Sequence, residues 1–112
     1  MTIRETASAL ALQEIVPPVD PERAVASGYV GDLLSWVMGR AAPDSAWITI
    51  MSNQNVAAVA VLADVSLVIL AEGVSPDPDL LNKARAQEVA LYSSEQSSYE
   101  IAGKLYALLA AM

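Results

Sequence analysis

The chain has 112 residues, enough for one domain with a single core, and 54% of them are apolar, which takes it out of the disordered class. Thirteen acidic residues against six basic ones give a net charge of -7, a field that repels phosphate backbones and anionic lipid surfaces alike. Cys and His are both absent, which excludes thiolate or imidazole zinc sites, iron–sulfur ligation, thiol redox chemistry and Ser–His or Cys–His nucleophiles, and leaves only an all-carboxylate magnesium or calcium site open.

The elements follow in chain order. Thr2-Ile3-Arg4-Glu5 is a capping box, so a short helix is predicted to about Leu10, with Ile3, Ala7 and Leu10 on one face. Leu12 to Val16 and Ala24 to Val30 are β-rich, and Pro17-Pro18 with Asp20-Pro21 make the connection between them a turn-rich loop. Asp32 after Gly31 is the expected N-cap of a second helix, with Leu33 and Val37 buried, Trp36 turned partly outward and Gly39 as its stop. A strand from Ala46 to Ile50 leads to a helix from about Asn55 to Ala63, capped by Asn53. Its run Val56 to Leu62 is apolar all round and so should be buried on most sides.

Leu67 to Ala71 is the next strand. Asp77-Pro78-Asp79 then places a cap, a first-turn proline and an acidic residue in the order that opens a helix. After a strand from Val89 to Tyr92, Ser97-Ser98-Tyr99-Glu100 is a second capping box. It opens a helix with Ile101, Leu105, Leu108 and Leu109 on its inner face. Strands that alternate with helices are joined by right-handed crossovers in a parallel sheet, so the predicted fold is a three-layer α/β/α sandwich with a mostly parallel sheet of about five strands. The whole chain, residues 1–112, is expected to form this single domain. Met1 to Glu5 lacks the basic flank and apolar core of a secretory signal. Asp64 also splits the longest apolar stretch, Val56 to Ala71, below the roughly 20 residues a bilayer needs. A soluble, cytoplasmic protein is expected.

In an open parallel sheet, ligands sit beyond the carboxyl ends of the strands. Those ends are Gly31-Asp32, Met51-Ser52-Asn53-Gln54-Asn55, Glu72-Gly73 and the run Ser93-Ser94-Glu95-Gln96-Ser97-Ser98-Tyr99. Together they are expected to bring free helix amides and hydroxyls around one rim that suits a phosphate or a small polar ligand. The candidate ligand-binding residues are therefore Asp32, Ser52, Asn53, Gln54, Asn55, Gly73, Ser93, Ser94, Ser97 and Tyr99. The same residue types are also what caps and turns require for themselves, and both readings of Asp32 and Ser97 stand at this stage. Trp36, Met38, Tyr106 and Leu109 are candidates for a protein contact surface. No phosphate loop, dinucleotide turn or catalytic carboxylate pair is present, so neither an enzyme activity nor a cofactor is expected. An enzyme would require Asp32, Glu72 and Glu95 to converge in one cleft.

Gly31-Asp32-Leu33-Leu34-Ser35, Trp47-Ile48-Thr49, the Asn55 to Ala60 segment and Ser98-Tyr99-Glu100-Ile101-Ala102-Gly103-Lys104-Leu105 together resemble the DRTGG domain, from about Ile3 to Leu109. The resemblance implies a fold like the amino-terminal domain of HPr kinase, without the separate domain that carries kinase chemistry. It also implies the regulatory setting of pyrophosphatases, where the domain accompanies CBS domains and is linked to adenine-nucleotide control and subunit contact. The family's Asp-Arg element falls near Asn53-Gln54, and its Thr-Gly-Gly element at Ala71-Glu72-Gly73, where only Gly73 is kept. Loss of the Arg removes a phosphate partner and Glu72 adds a repelling charge. The expected function is a non-catalytic regulatory or interaction module acting as a homodimer, with an unidentified protein partner. Its alternative is a sensor of an adenine nucleotide or phosphorylated metabolite. Neither nucleic acid nor a membrane is an expected partner.

Overall fold

The computed structural model describes all 112 residues. In chain order the elements are α1 (Ile3–Ala9), β1 (Gln13–Val16), β2 (Ser27–Val30), α2 (Leu34–Arg40), β3 (Ser45–Thr49), α3 (Asn55–Ala63), β4 (Leu67–Leu70), α4 (Pro78–Ala86), β5 (Leu91–Ser93) and α5 (Ser98–Ala110). The sheet runs β1-β5-β4-β3-β2; β2 to β5 are parallel, and β1 pairs antiparallel with β5 at the far edge. The expected mostly parallel, five-stranded α/β sandwich is what forms.

The order of layers follows from handedness. Strands β2 to β5 advance across the sheet in one direction, so right-handed crossovers put α2, α3 and α4 on the same face. The opposite face is left to the two helices outside that series, α1 and α5. Strands β3 and β4 are buried along their whole length, and alternation sends successive side chains to opposite cores. Trp47, Val68, Leu70 and Leu91 pack with Val37, Val56, Leu80 and Ala84 of α2, α3 and α4. Ala46, Ile48, Leu67 and Ile69 pack with Ile3 of α1 and with Ile101 and Leu105 of α5. Gly28 permits the close approach of α5 to β2, since a Cβ there would stand 2.9 Å from Leu105 Cδ2.

Both capping boxes form as the sequence predicts. The Thr2 hydroxyl accepts from the Glu5 amide at 3.1 Å and the Ser97 hydroxyl from the Glu100 amide at 3.1 Å, with each glutamate reaching back to its cap. Other expectations are corrected. Asp32 does not cap α2: Leu33 occupies the N-cap position, and the Asp32 side chain turns back toward β3 instead. Gly39 lies inside the last turn of α2 rather than beyond it, and Ala41 follows as the C-cap in extended backbone. Leu33 is exposed, while Val37 is fully buried as expected. Helix α3 is buried on most sides as expected, through Val56, Ala57, Val59, Ala60 and Ala63, with Val61 and Leu62 facing solvent near its carboxyl end. Asp77 stands at the N-cap of α4 but its side chain makes no capping bond, so the entry there rests on Pro78 at the first helical position.

Candidate functional site

The carboxyl ends of the parallel strands lie along one edge of the sheet, and this rim has two halves with different local chemistry. At the ends of β2 and β3 the side chains of Asp32, Thr49 and Asn53 fasten the loops. The Thr49 hydroxyl donates to Asp32 Oδ1 at 2.7 Å and the Ile50 amide donates to the same oxygen at 3.0 Å. Thr49 Oγ1 in turn accepts from the Met51 amide at 3.2 Å. Asn53 Oδ1 accepts from the Asn55 amide at 2.9 Å, so Asn53 serves the start of α3 from one residue before its formal cap, Gln54. The Ser52 carbonyl accepts from the Asp77 amide at 2.9 Å, which ties this loop to the entry of α4.

At the ends of β4 and β5 the two loop backbones bond to each other, with Glu72, Ser94 and Gln96 side chains bracing them, and a cleft remains. Glu72 and Gly73 both adopt left-handed backbone, with φ of 61° and 72°. For Glu72 this conformation costs about 1 kcal/mol or more and needs support from its surroundings. Three hydrogen bonds provide it. The Glu72 amide donates to the Gln96 carbonyl at 2.8 Å, and the Gly73 amide to the Ser94 carbonyl at 2.9 Å. Glu72 Oε2 accepts from the Ser98 amide at 2.9 Å. A side-chain carboxylate therefore already occupies the amino terminus of α5, where an anionic ligand would have to sit. The Ser97 amide and hydroxyl also hold the Glu100 carboxyl below the ordinary carboxylate range.

The cleft between these loops and β1 encloses about 460 Å³ and is lined by Ala11, Gln13, Ile15, Gly73, Val74, Ser75, Pro76, Ser93, Ser94, Glu95 and Gln96. That volume falls in the range of small-molecule sites, although the lining is mostly polar. Gly73 is required here twice over: its φ is left-handed, and a Cβ would stand 2.6 Å from Glu95 Oε2. Gln96 is a structural brace, donating from Nε2 to the Leu10 carbonyl at 2.9 Å and to Ser94 Oγ at 3.1 Å while its oxygen accepts from Lys104.

Of the ten residues the sequence singled out for a ligand, the cleft brings together Gly73, Ser93 and Ser94. Asp32, Ser52, Asn53, Gln54 and Asn55 lie on the other half of the rim. Ser97 is a helix cap, and Tyr99 points into solvent at 87% exposure. The candidate list lacked the other eight lining residues, among them Gln13, Ile15, Ser75 and Glu95. The first two belong to the antiparallel strand β1, whose position beside β5 no local pattern announces. Among the contact-surface candidates, Trp36 and Met38 are half-exposed on α2, with the Arg40 guanidinium 3.6 Å from the centre of the Trp36 indole. Tyr106 and Leu109 lie across the sheet on α5, where with Gly28, Val30 and Ile48 they line a narrow apolar groove of about 190 Å³ beside the free edge of β2. A further hollow at the opposite end of the sheet contains Arg23, whose guanidinium is tied to Asp44 and Asp64 at 2.9 Å each. No helix is long and apolar enough to cross a membrane.

No family model and no curated protein matches the chain. The fold is nevertheless a known one: a DRTGG-like α/β sandwich. It is similar to the crystal structure of the CBS and DRTGG domains of the regulatory region of Clostridium perfringens pyrophosphatase, solved in complex with its activator diadenosine tetraphosphate. The TM-score is 0.69 at 13% identity, covering 93% of this chain and 47% of that one. The chain thus spans about half the length of the structure it matches.

Proposed function

We propose that this chain is a non-catalytic regulatory domain that works by binding, with its small-ligand site in the cleft at the ends of β4 and β5. The observation that carries this reading is the division of the rim. Asp32, Thr49 and Asn53 bind down the loops at β2 and β3, whereas a cleft of about 460 Å³ stays open beside β5. The carboxylates argue against catalysis. Asp32 is engaged by Thr49 and Ile50, and Glu72 by Ser98. Asp32 follows β2 and Glu95 follows β5, three strand spacings or roughly 14 Å apart, too far to act on one bond. The regulatory setting of the similar pyrophosphatase region supports the same view.

Thermal-shift screening of the intact chain against nucleotides, phosphorylated metabolites, amines and polyols tests the proposal. A true ligand at 100 times its dissociation constant raises stability by roughly 2.7 kcal/mol. Ser75→Trp, which fills the cleft from an exposed position, should abolish the effect. Silence across the panel would remove the ligand site.

A second reading, homodimerisation, is favoured by one specific feature. Strand β2 is an open edge, its residues Ser27 to Val30 carry no charge, and the apolar groove against α5 runs alongside it. Light scattering at tens of micromolar should give twice the chain mass; a monomer would remove this part of the proposal.

A further inference from the structure

We infer that the cleft beside β5 takes a small ligand carrying a positively charged amine, held by Glu95, and not a phosphorylated one. The inference rests on the cleft being the ligand site proposed above and names the chemistry of its occupant.

The argument is an inventory of donors and acceptors in the lining. In a chain of net charge -7, a phosphorylated ligand calls for a cation in its site as well as neutral donors. Among the lining residues, the amides of Ala11, Gly73, Val74 and Ser94 already donate to the carbonyls of Ser8, Ser94, Ala71 and Leu70, which leaves the Ser75 and Glu95 amides and the neutral side chains of Gln13, Ser75 and Ser93 as donors, none of them charged. The Gln96 amide donates to Ser94 Oγ at 3.0 Å, and the Gln96 side-chain nitrogen is engaged twice. No Lys or Arg lines the cleft. Lys104, which touches it only through Gln96, points its ammonium at Gln96 Oε1. The neighbouring amino terminus of α5 holds the Glu72 carboxylate in place of an external anion.

The acceptor side is the reverse. Glu95 is the one carboxylate of the lining, it joins no ion pair, and it leans over Gly73, whose missing side chain leaves its oxygens room. An ionised carboxylate accepts through two oxygens and donates nothing, so its natural partner is an ammonium or guanidinium group. Ala11, Ile15 and Val74 add a short apolar wall, which suits an aliphatic stem behind that charge. The net charge of -7 further disfavours a nucleotide polyphosphate.

Calorimetric titration of the intact chain tests this with agmatine and cadaverine as amine probes and ATP and inorganic phosphate as anionic ones. The expected result is saturable one-to-one binding of an amine, weakened about tenfold or more by Glu95→Gln, since a charge-assisted hydrogen bond is lost. Asp79→Asn, which removes the same charge from the exposed start of α4, should leave that binding unchanged. Equal weakening by both variants would mean diffuse attraction to an acidic surface and would overturn the inference. ATP or phosphate binding that Ser75→Trp abolishes would keep the cleft as a ligand site and overturn the amine class. Absence of binding by every probe would overturn both.

Discussion

The loops after β3 and β5 read almost alike in sequence, Ser52-Asn53-Gln54-Asn55 against Ser93-Ser94-Glu95-Gln96, yet they end in opposite states. After β3, side chains close the loop onto its own backbone and onto Asp32. After β5, the Ala71–Gly73 and Ser94–Gln96 backbones bond to each other, which frees the Glu95 side chain and leaves a hollow. Both loops carry the same short side-chain turn, Asn53 Oδ1 to the Asn55 amide and Ser94 Oγ to the Gln96 amide, so what separates them is the second backbone that pairs with the loop after β5. Left-handed Glu72 and Gly73 supply that pairing, by turning two successive amides toward the neighbouring loop.

The sharpest way to break the closed half is Asp32→Ala. It leaves the buried Thr49 hydroxyl and the Ile50 amide without their charged acceptor and should cost about 1.5–3 kcal/mol in urea unfolding, with cleft binding intact. Loss of cleft binding in that variant would show that the two halves act as one. Gly73→Ala attacks the open half. A left-handed alanine costs about 1–2 kcal/mol, and its Cβ must push Glu95 aside, so both stability and amine binding should fall together.

Ser97→Ala tests whether the start of α5 belongs to the cleft at all. A pure cap loses about 1 kcal/mol with no change in binding, and Ser97→Asp should restore the stability, because Asp caps equally well. The smallest effect lies where β5 meets β1, the strand that walls the cleft. Burial, reinforced by the hydrogen bond to Glu14, pushes the Tyr92 hydroxyl up to about 12. The unfolded chain ionises near 10, so this contribution is complete below about pH 10 and is lost as pH rises toward 12. The melting temperature should therefore fall over that interval in the native chain, and by less in Tyr92→Phe.

What the sequence determined by itself is whatever closes within a few residues. The capping boxes Thr2–Glu5 and Ser97–Glu100, the proline entry at Pro78 and the alternation of short β-rich and helical runs all rest on contacts three residues apart or fewer, or on periodicity. The α/β layering was legible for the same reason. The similarity to a DRTGG-like fold at 13% identity adds that such a pattern survives without shared side chains. Tertiary structure decided the rest. Asp32 reads as a cap because Asp before a leucine pair usually is one, but its partners lie 17 and 18 residues away on β3. Glu72 meets Ser98 across 26 residues, and Gln96 meets Leu10 across 86. Long-range pairing of this kind is fixed only once the strands are in register within the sheet, because no local pattern specifies its partners. The placement of β1 beside β5 then adds Gln13 and Ile15 as the far wall of the cleft.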